Sequence, residues 1–210
     1  MEFRRNEEAG KFFSVEEVMS ILEAERIFLE QSGGGVTFSG GEPMNQPEFL
    51  LEALKACKLA GYHTAVDTSG YSMPENYRKI VPYTDLFLYD LKLVDNEKHF
   101  LYSAVSNELI LENFRMLSRS GKNIMIRIPV IPGLNDDTGD LMKMKKFILE
   151  NKVKNLIKIC LLPYHRIGAT KYKRFRMIYR MDGIDPPSAS RMRELKEFFS
   201  ETGIKVKVGG

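Results

Sequence analysis

Residues 33–43 read GGGVTFSGGEP, a short apolar run that ends in two glycines and a glutamate. The same plan recurs along the chain: an apolar run rich in β-branched residues, a polar or glycine end, and then a segment with helical periodicity. Near-continuous apolar strands that alternate with helices indicate a parallel sheet with crossover helices. The six predicted strands are Gly35–Ser39, His63–Asp67, Asp85–Lys92, Ile124–Val130, Leu156–Leu162 and Ile204–Val208.

Helix start signals lie between these runs. Ser14 and Glu17 have the spacing of a capping box, and Pro47 suits the first position of a helix. Ser106 and Ser188 are predicted to open two further helices. No linker or low-complexity stretch interrupts the pattern, so the sequence predicts one α/β domain.

Composition and charge exclude several classes of protein. The 210 residues are 43% apolar and 28% charged, which is typical of a globular chain and not of a disordered one. The net charge of +3 is too balanced to indicate nucleic acid or a membrane surface. No apolar run approaches the roughly 18 residues of a membrane span, and the N-terminus does not read as a signal peptide. We expect a cytoplasmic protein with neither a nucleic-acid partner nor a membrane partner.

Each of the first five strands ends in residues that a hydrophobic core would not select. In parallel βα folds the active site lies at the carboxyl ends of the strands, so these residues should share one rim. The sequence therefore predicts a site for a polar, partly charged ligand there. The candidate residues are Gly40, Gly41, Glu42, Asp67, Thr68, Asp90, Lys92, Arg127 and His165.

The candidate groups indicate the chemistry of the ligand. Two adjacent glycines let main-chain oxygens approach a ligand closely, and together with Asp67 they can hold an ammonium group. Asp90 and Lys92 are two residues apart, so a strand would place them on one face. Lys92 can hold a carboxylate and Asp90 can accept ribose hydroxyls. An amino acid joined to a nucleoside satisfies all of these groups.

Taken in order, these motifs resemble those of the glycyl-radical-enzyme activating enzymes, a family of the radical S-adenosylmethionine (SAM) superfamily. The resemblance implies an α/β fold, an open TIM-like barrel of parallel βα units that lacks its first unit. It runs from about Ser14 to the C-terminus, which divides the chain into a non-family segment 1–13 and an incomplete radical SAM core 14–210. The motifs that carry it are GGEP at 40–43, VDTSG at 66–70, DLK at 90–92, RIPVIPG at 127–133 and LPYH at 162–165.

The resemblance implies roles for the first two motifs. Gly40, Gly41 and Glu42 would receive the amino group of SAM through the main chain, and Asp67 would contact the same group. Asp67, Thr68 and Asp90 also match residues around a monovalent cation in the best-known member of the family.

It implies roles for the later motifs as well. Asp90 and Lys92 match the D-x-K element that binds the ribose and the methionine carboxylate. Arg127 matches a strand arginine close to SAM, and His165 matches a histidine near the adenosine. Pro129 stands where the family has a valine.

The activity implied by the resemblance is a radical activation. A reduced [4Fe–4S] cluster passes one electron to SAM, and the resulting 5′-deoxyadenosyl radical takes a hydrogen atom from a glycine of the partner enzyme. The partners would be a glycyl-radical enzyme and a reductant such as flavodoxin or ferredoxin. Since the cofactors do the chemistry, no residue is predicted to be a catalytic acid, base or nucleophile.

One departure from the family concerns the cluster ligands. The family's C-x-x-x-C-x-x-C motif precedes the matched region, and this chain has only Cys57 and Cys160, which do not match its positions. We expect both to be inert buried thiols. The sequence therefore predicts an activase without its N-terminal end, inactive alone, whose first strand is an exposed edge.

Two other functions stay open at this stage. The chain could be a non-catalytic SAM-binding remnant that serves as a regulatory module, or a barrel enzyme that binds a phosphate ligand in a glycine nest at residues 33–41. Lys171–Arg180 is a basic and aromatic cluster. It fits a solvated loop, a nucleic-acid contact or a docking surface for a protein substrate.

Overall fold

The computed structural model describes residues 11–166, 181 and 183–209. Helices and strands alternate along most of this range. In chain order the elements are α1 (Val15–Ala24), α2 (Arg26–Ser32), β1 (Val36–Phe38), α3 (Pro47–Leu59), β2 (Thr64–Thr68), α4 (Pro74–Ile80), β3 (Leu86–Asp90), α5 (Asn96–Ser103), α6 (Glu108–Ser118), β4 (Asn123–Val130), α7 (Thr138–Glu150), β5 (Leu156–Pro163), α8 (Ala189–Ser200) and β6 (Val206–Val208).

The strands form one six-stranded sheet in the order β1-β2-β3-β4-β5-β6. Every neighbouring pair is parallel, so all carboxyl ends lie on one rim. The predicted open barrel of parallel βα units is confirmed, and β1 and β6 are the two edges of the sheet. Three strands are shorter than predicted: β1, β3 and β6. Because β3 ends at Asp90, Lys92 lies beyond it.

Side chains of the central strands alternate between two faces of the sheet, one packed against helices and one, the inner face, on the other side. In β4, Ile124, Ile126 and Ile128 are buried, whereas the residues between them are partly exposed. In β3, the Tyr89 ring packs on Phe114 of α6, with ring centroids 5.4 Å apart. The inner face therefore carries the other set of residues, which includes Asp90.

Three of the predicted helix starts are confirmed. Ser14 Oγ accepts from the Glu17 main chain at 3.2 Å, and Glu17 Oε2 accepts from the Ser14 main chain at 2.7 Å, which completes the capping box. Ser188 caps α8 through the Arg191 main chain at 3.1 Å, and Pro47 opens α3. None of the helices in the described residues is both long and apolar enough to cross a membrane.

The fourth predicted start was wrong by one residue. Asn107, not Ser106, is the residue that precedes α6. The Asn107 side chain does not cap the helix, because its Nδ2 donates inward to the carbonyls of Leu93 at 3.1 Å and Val94 at 2.9 Å. Ser106 Oγ accepts instead from the main chain of Glu108 at 3.2 Å.

Candidate functional site

The loop after β1 is tied to the end of β2 through the carboxylate of Glu42. Glu42 Oε2 accepts from the Ser69 main chain at 2.7 Å, and Oε1 accepts from Thr68 Oγ1 at 2.8 Å and from the Met44 main chain at 3.1 Å. The side chain of Glu42 is therefore engaged within the protein. What this loop presents at the rim is the main chain of the two preceding glycines.

Gly40 and Gly41 have different reasons to be glycine. Gly40 has φ of +132°, a backbone conformation that side chains with a Cβ rarely adopt. A Cβ added to Gly41 would meet no atom within 4 Å, so packing within the described residues does not require glycine there. A ligand that approaches the main chain closely would require it.

A cluster of two carboxylates and one guanidinium lies beside this loop. Arg127 Nη1 donates to Asp67 Oδ2 at 2.9 Å, Nη2 donates to Asp67 Oδ1, and Nε donates to Asp90 Oδ1 at 2.9 Å. Ser39 Oγ donates to the same Asp67 carboxylate at 2.9 Å. The side chains of Asp67, Asp90 and Arg127 are 17%, 20% and 21% exposed. The register explains the geometry, because Arg127 of β4 pairs with Asp90 of β3.

Burial raises the pKa of Asp90, against the opposing effects of Arg127 and of Lys92. The two carboxylates outnumber the one guanidinium that bridges them. A site of this kind suits a ligand that brings its own positive charge.

Lys92 lies at the same rim, two residues past Asp90, and is exposed. Leu91 N donates to the Arg127 carbonyl at 2.9 Å, which extends the β3–β4 contact by one bond. The Lys92 carbonyl then accepts from Asn135 Nδ2 at 3.0 Å. Lys92 thus projects from an anchored main chain and not from a strand.

Thr68 and His165 are placed differently from the cluster. The Thr68 hydroxyl lies 2.8 Å from Glu42 Oε1 and 2.7 Å from Tyr77 Oη, and Thr68 is buried. Its side chain is thus used on the opposite face of β2 from Asp67, which leaves its main chain for the rim. His165 is exposed just past the end of β5. The basic cluster Lys171–Arg180 lies outside the described residues.

Both cysteines are free and buried. Cys57 Sγ lies 3.8 Å from Met19 Sδ, and burial raises the pKa of this thiol. Cys160 Sγ lies 3.4 Å from Met125 Sδ, in the strand next to Arg127. The described residues contain no group of three His, Cys, Asp or Glu side chains placed to hold a metal ion. These residues therefore do not fit a [4Fe–4S] cluster, which the family holds with three thiolates.

Sequence reasoning missed two polar residues at this rim. Ser39 holds Asp67, and Asn135 connects the ends of β3 and β4 through hydrogen bonds to Lys92 and Pro129. Ser39 was visible as a polar strand end. Asn135 lies in a loop, where asparagine is ordinary, so only the three-dimensional contacts distinguish it.

The family follows from comparison with known sequences. The profile of the Radical SAM superfamily matches residues 2–144, more than half of the chain. The chain belongs to the radical SAM superfamily. It is 43% identical over 202 residues to trans-4-hydroxy-L-proline dehydratase activating enzyme from Clostridioides difficile, covering 96% of this chain and 67% of the relative. It is 34% identical over 196 residues to pyruvate formate-lyase-activating enzyme from Clostridium pasteurianum, covering 93% and 81%.

A solved structure supports the same family. A domain of pyruvate formate-lyase-activating enzyme from Bacteroides vulgatus ATCC 8482 is 34% identical, with a TM-score of 0.70, over 84% of this chain and 99% of that one. The chain thus belongs to the glycyl-radical-enzyme activating enzymes, as its motifs predicted. It spans 56% to 67% of the length of three curated relatives of this family.

Proposed function

We propose that the strand-end site of this radical SAM chain binds SAM, as the SAM-binding core of an activating enzyme for a glycyl-radical enzyme. The observation that carries the proposal is the partly buried Asp67–Arg127–Asp90 cluster beside the open main chain of Gly41. SAM carries a sulfonium and an ammonium, and two carboxylates against one guanidinium favour such a ligand.

Each group of SAM has a partner at the rim. The ammonium group lies against the main chain of Gly40–Glu42 and the carboxylate of Asp67. Lys92 pairs with the methionine carboxylate, Asp90 accepts from the ribose, and His165 lies beside the adenosine. Arg127 holds the carboxylates of both aspartates in position through its hydrogen bonds.

We also propose a monovalent cation beside Asp67 and Asp90. Both carboxylates share Arg127, so a small cation would take up the lone pairs that the guanidinium leaves. Thr68 would contribute its carbonyl oxygen, since its hydroxyl is held by Glu42 and Tyr77.

The proposal assigns this chain the binding and orientation of SAM, and no cleavage step. The cluster of radical SAM enzymes supplies the reducing electron when bound, and the residues present here do not fit one. We therefore propose that the 210 residues alone bind SAM without cleaving it. The same observation, that no group in the described residues is placed to hold a metal ion, is compatible with a second candidate, a non-catalytic SAM-binding module.

The partners follow from the family. The relatives are named for activating a dehydratase or a lyase. We propose a glycyl-radical enzyme as the protein partner, flavodoxin or ferredoxin as the reductant, a cytoplasmic setting and a radical SAM core at residues 14–210. The basic cluster Lys171–Arg180 would dock the partner enzyme. A phosphate ligand fits this rim poorly, because Asp67 and Asp90 would repel it.

Calorimetric titration with SAM tests the assignment. Lys92→Ala should weaken binding by about tenfold to a hundredfold, because a charge-assisted contact to the carboxylate is lost. Lys146→Ala is the matched control, since Lys146 is an exposed lysine of α7 whose Nζ lies 3.8 Å from Glu150 Oε1. Equal affinity of the wild type and Lys92→Ala, or tighter binding of a sugar phosphate than of SAM, would contradict the proposal.

Reductive cleavage gives a second test. After incubation with iron, sulfide and a reductant, the 210-residue chain should retain negligible iron and form no 5′-deoxyadenosine from SAM. Formation of 5′-deoxyadenosine above a control without protein would overturn the assignment of binding alone.

A further inference from the structure

Asn135 is a buried polar residue at the rim that the proposed function does not use. It is 5% exposed and lies in the loop between β4 and α7. Its Nδ2 donates to the carbonyl of Lys92 at 3.0 Å and to the carbonyl of Pro129 at 2.6 Å. Its Oδ1 accepts from the main chain of Ile131 at 2.8 Å. One side chain thus joins the segment after β3 to the end of β4.

The position requires an amide. A carboxamide offers two N–H donors and a carbonyl acceptor, and Asn135 uses both kinds of group here. An aspartate of the same size would place an acceptor against two carbonyl oxygens. The last strand pair between β3 and β4 is Asp90 with Arg127, followed by the single bond from Leu91. Asn135 continues the connection where the strand ladder ends.

The segment that carries Lys92 is held from a second side as well. Asn107, which is 1% exposed, donates to the carbonyls of Leu93 and Val94. The side chains of Leu91 and Leu93 are buried, with exposures of 0% and 6%, whereas Lys92 between them is exposed. The main chain is therefore fixed and only the Lys92 side chain is free to reach a ligand.

We infer that Asn135 is a positioning residue of the SAM site, which acts by fixing the main chain of Lys92 against the end of β4. This inference rests on the proposed function. A lysine side chain has four rotatable bonds, so the affinity of its ammonium for a carboxylate depends on where its Cα is held. Fixing the Cα beside Asp90 and Arg127 lowers the ordering cost of the Lys92 contact when the ligand binds.

A double-mutant cycle tests the inference by calorimetric titration with SAM. Asn135→Ala removes all three hydrogen bonds of the side chain, of which the one to the Lys92 carbonyl acts on the ligand contact, and it should weaken binding of SAM by about three- to tenfold. Lys92→Ala keeps the main-chain carbonyl that Asn135 holds but removes the ammonium. In that background Asn135→Ala should change the affinity by less than about twofold, because no side chain is left to position.

Asn155→Ala is the matched control. Asn155 also uses its amide to join neighbouring segments, donating from Nδ2 to the Lys122 carbonyl at 2.5 Å, but at the amino ends of β4 and β5. The Asn155→Ala variant should have a lower melting temperature than the wild type and the same affinity for SAM. If Asn135→Ala does not fold, Asn135→Ser replaces it in the cycle, because serine retains one hydroxyl donor.

The outcomes separate the inference from the proposed function. If Lys92→Ala weakens SAM binding and Asn135→Ala leaves the SAM affinity unchanged, the inference is wrong and the proposed SAM site is still supported. An equal loss on Asn135→Ala in both backgrounds also overturns it, because the effect then does not pass through Lys92. Wild-type protein that does not bind SAM overturns the proposed function, and the inference with it.

Discussion

Asp85 directly precedes strand β3 and Asp90 is its last residue, and the surroundings of the two carboxylates differ. At the amino end, Asp85 Oδ2 accepts from the Thr64 main chain at 2.8 Å and from Lys58 Nζ at 2.9 Å. At the carboxyl end, Asp90 shares Arg127 with Asp67. One carboxylate thus has a lysine and a main-chain donor to itself, whereas two carboxylates divide one guanidinium. Asp85 therefore has its own hydrogen-bonded cation, whereas Asp67 and Asp90 share one, and Lys92 acts on Asp90 only through its charge.

The two carboxyl groups respond in opposite directions. Burial raises the pKa of Asp85, but Lys58 and Thr64 lower it by more, so the net shift is downward. Burial dominates at Asp90, and its pKa is raised. A carboxylate whose charge is disfavoured beside an open main chain is typical of a ligand site, and one whose charge is favoured is typical of a structural tie.

The largest expected effect is that of removing the cation of the carboxyl rim. Arg127→Met should cost about 3 kcal/mol of unfolding free energy at pH 7, because two mostly buried carboxylates lose their partner. With Arg127 gone, the folded-state pKa of Asp90 rises further above its unfolded value. A carboxyl group with a raised folded-state pKa stabilises the fold at low pH, and this contribution is lost as pH rises through the folded-state pKa. The unfolding free energy of the variant should therefore recover in part when the pH is lowered from 7 to 5. Urea denaturation at both pH values measures this.

The control for that experiment lies at the other rim. Lys58→Met leaves a carboxylate that is 26% exposed and still hydrogen-bonded to Thr64, so it should cost about 1 kcal/mol or less. Equal costs for Arg127→Met and Lys58→Met would contradict the distinction between the two rims.

A smaller effect is expected from Asp85→Asn, about 1 kcal/mol at pH 7 after allowance for solvent screening. The folded-state pKa of Asp85 is depressed, so its contribution is present above the unfolded value of about 3.9 and is lost as pH falls through the folded value. Urea denaturation at pH 7, 4.5 and 3 should show the variant approaching the wild type in acid. A difference that is constant with pH would show that the charge of Asp85 contributes nothing.

The sheet could be predicted from sequence because each strand is an uninterrupted apolar run with a polar end. Because the carboxyl ends of parallel strands lie on one rim, Asp67, Asp90 and Arg127 could be predicted to lie close together. Helices α2, α4, α5 and α7 were not among the predicted helix starts. In α5 the apolar residues Phe100 and Leu101 are adjacent, and not three or four residues apart as on one face of an amphipathic helix, and both are exposed.

Details of the site depend on register and on loops. The bridging of Asp67 and Asp90 by Arg127 requires the observed pairing of β3 with β4. The position of Lys92 beyond β3 depends on where the ladder ends, and the end is fixed by Asn135, 43 residues away in sequence. Contacts of this range leave no periodic signal in a single sequence.

The smallest expected effect is a stabilisation that should leave the site unchanged. Ala104 follows α5 with φ of +60°, and its main chain donates to the Phe100 carbonyl at 2.8 Å. An alanine in this left-handed conformation costs about 1–2 kcal/mol, and glycine removes that cost while making the unfolded chain more flexible. Ala104→Gly should therefore stabilise the fold by about 0.5 kcal/mol, measured as an increase in melting temperature.

The same variant separates stability from binding at the carboxyl rim. Ala104 lies at the far end of the helix that follows the Lys92 segment, and it contributes no side chain to the Asp67–Arg127–Asp90 cluster. SAM affinity should therefore stay within about twofold of the wild type while the melting temperature rises. If Ala104→Gly instead weakens SAM binding as Asn135→Ala does, the position of Lys92 depends on the whole α5 region. The amide of Asn135 would then have no distinct role at this rim.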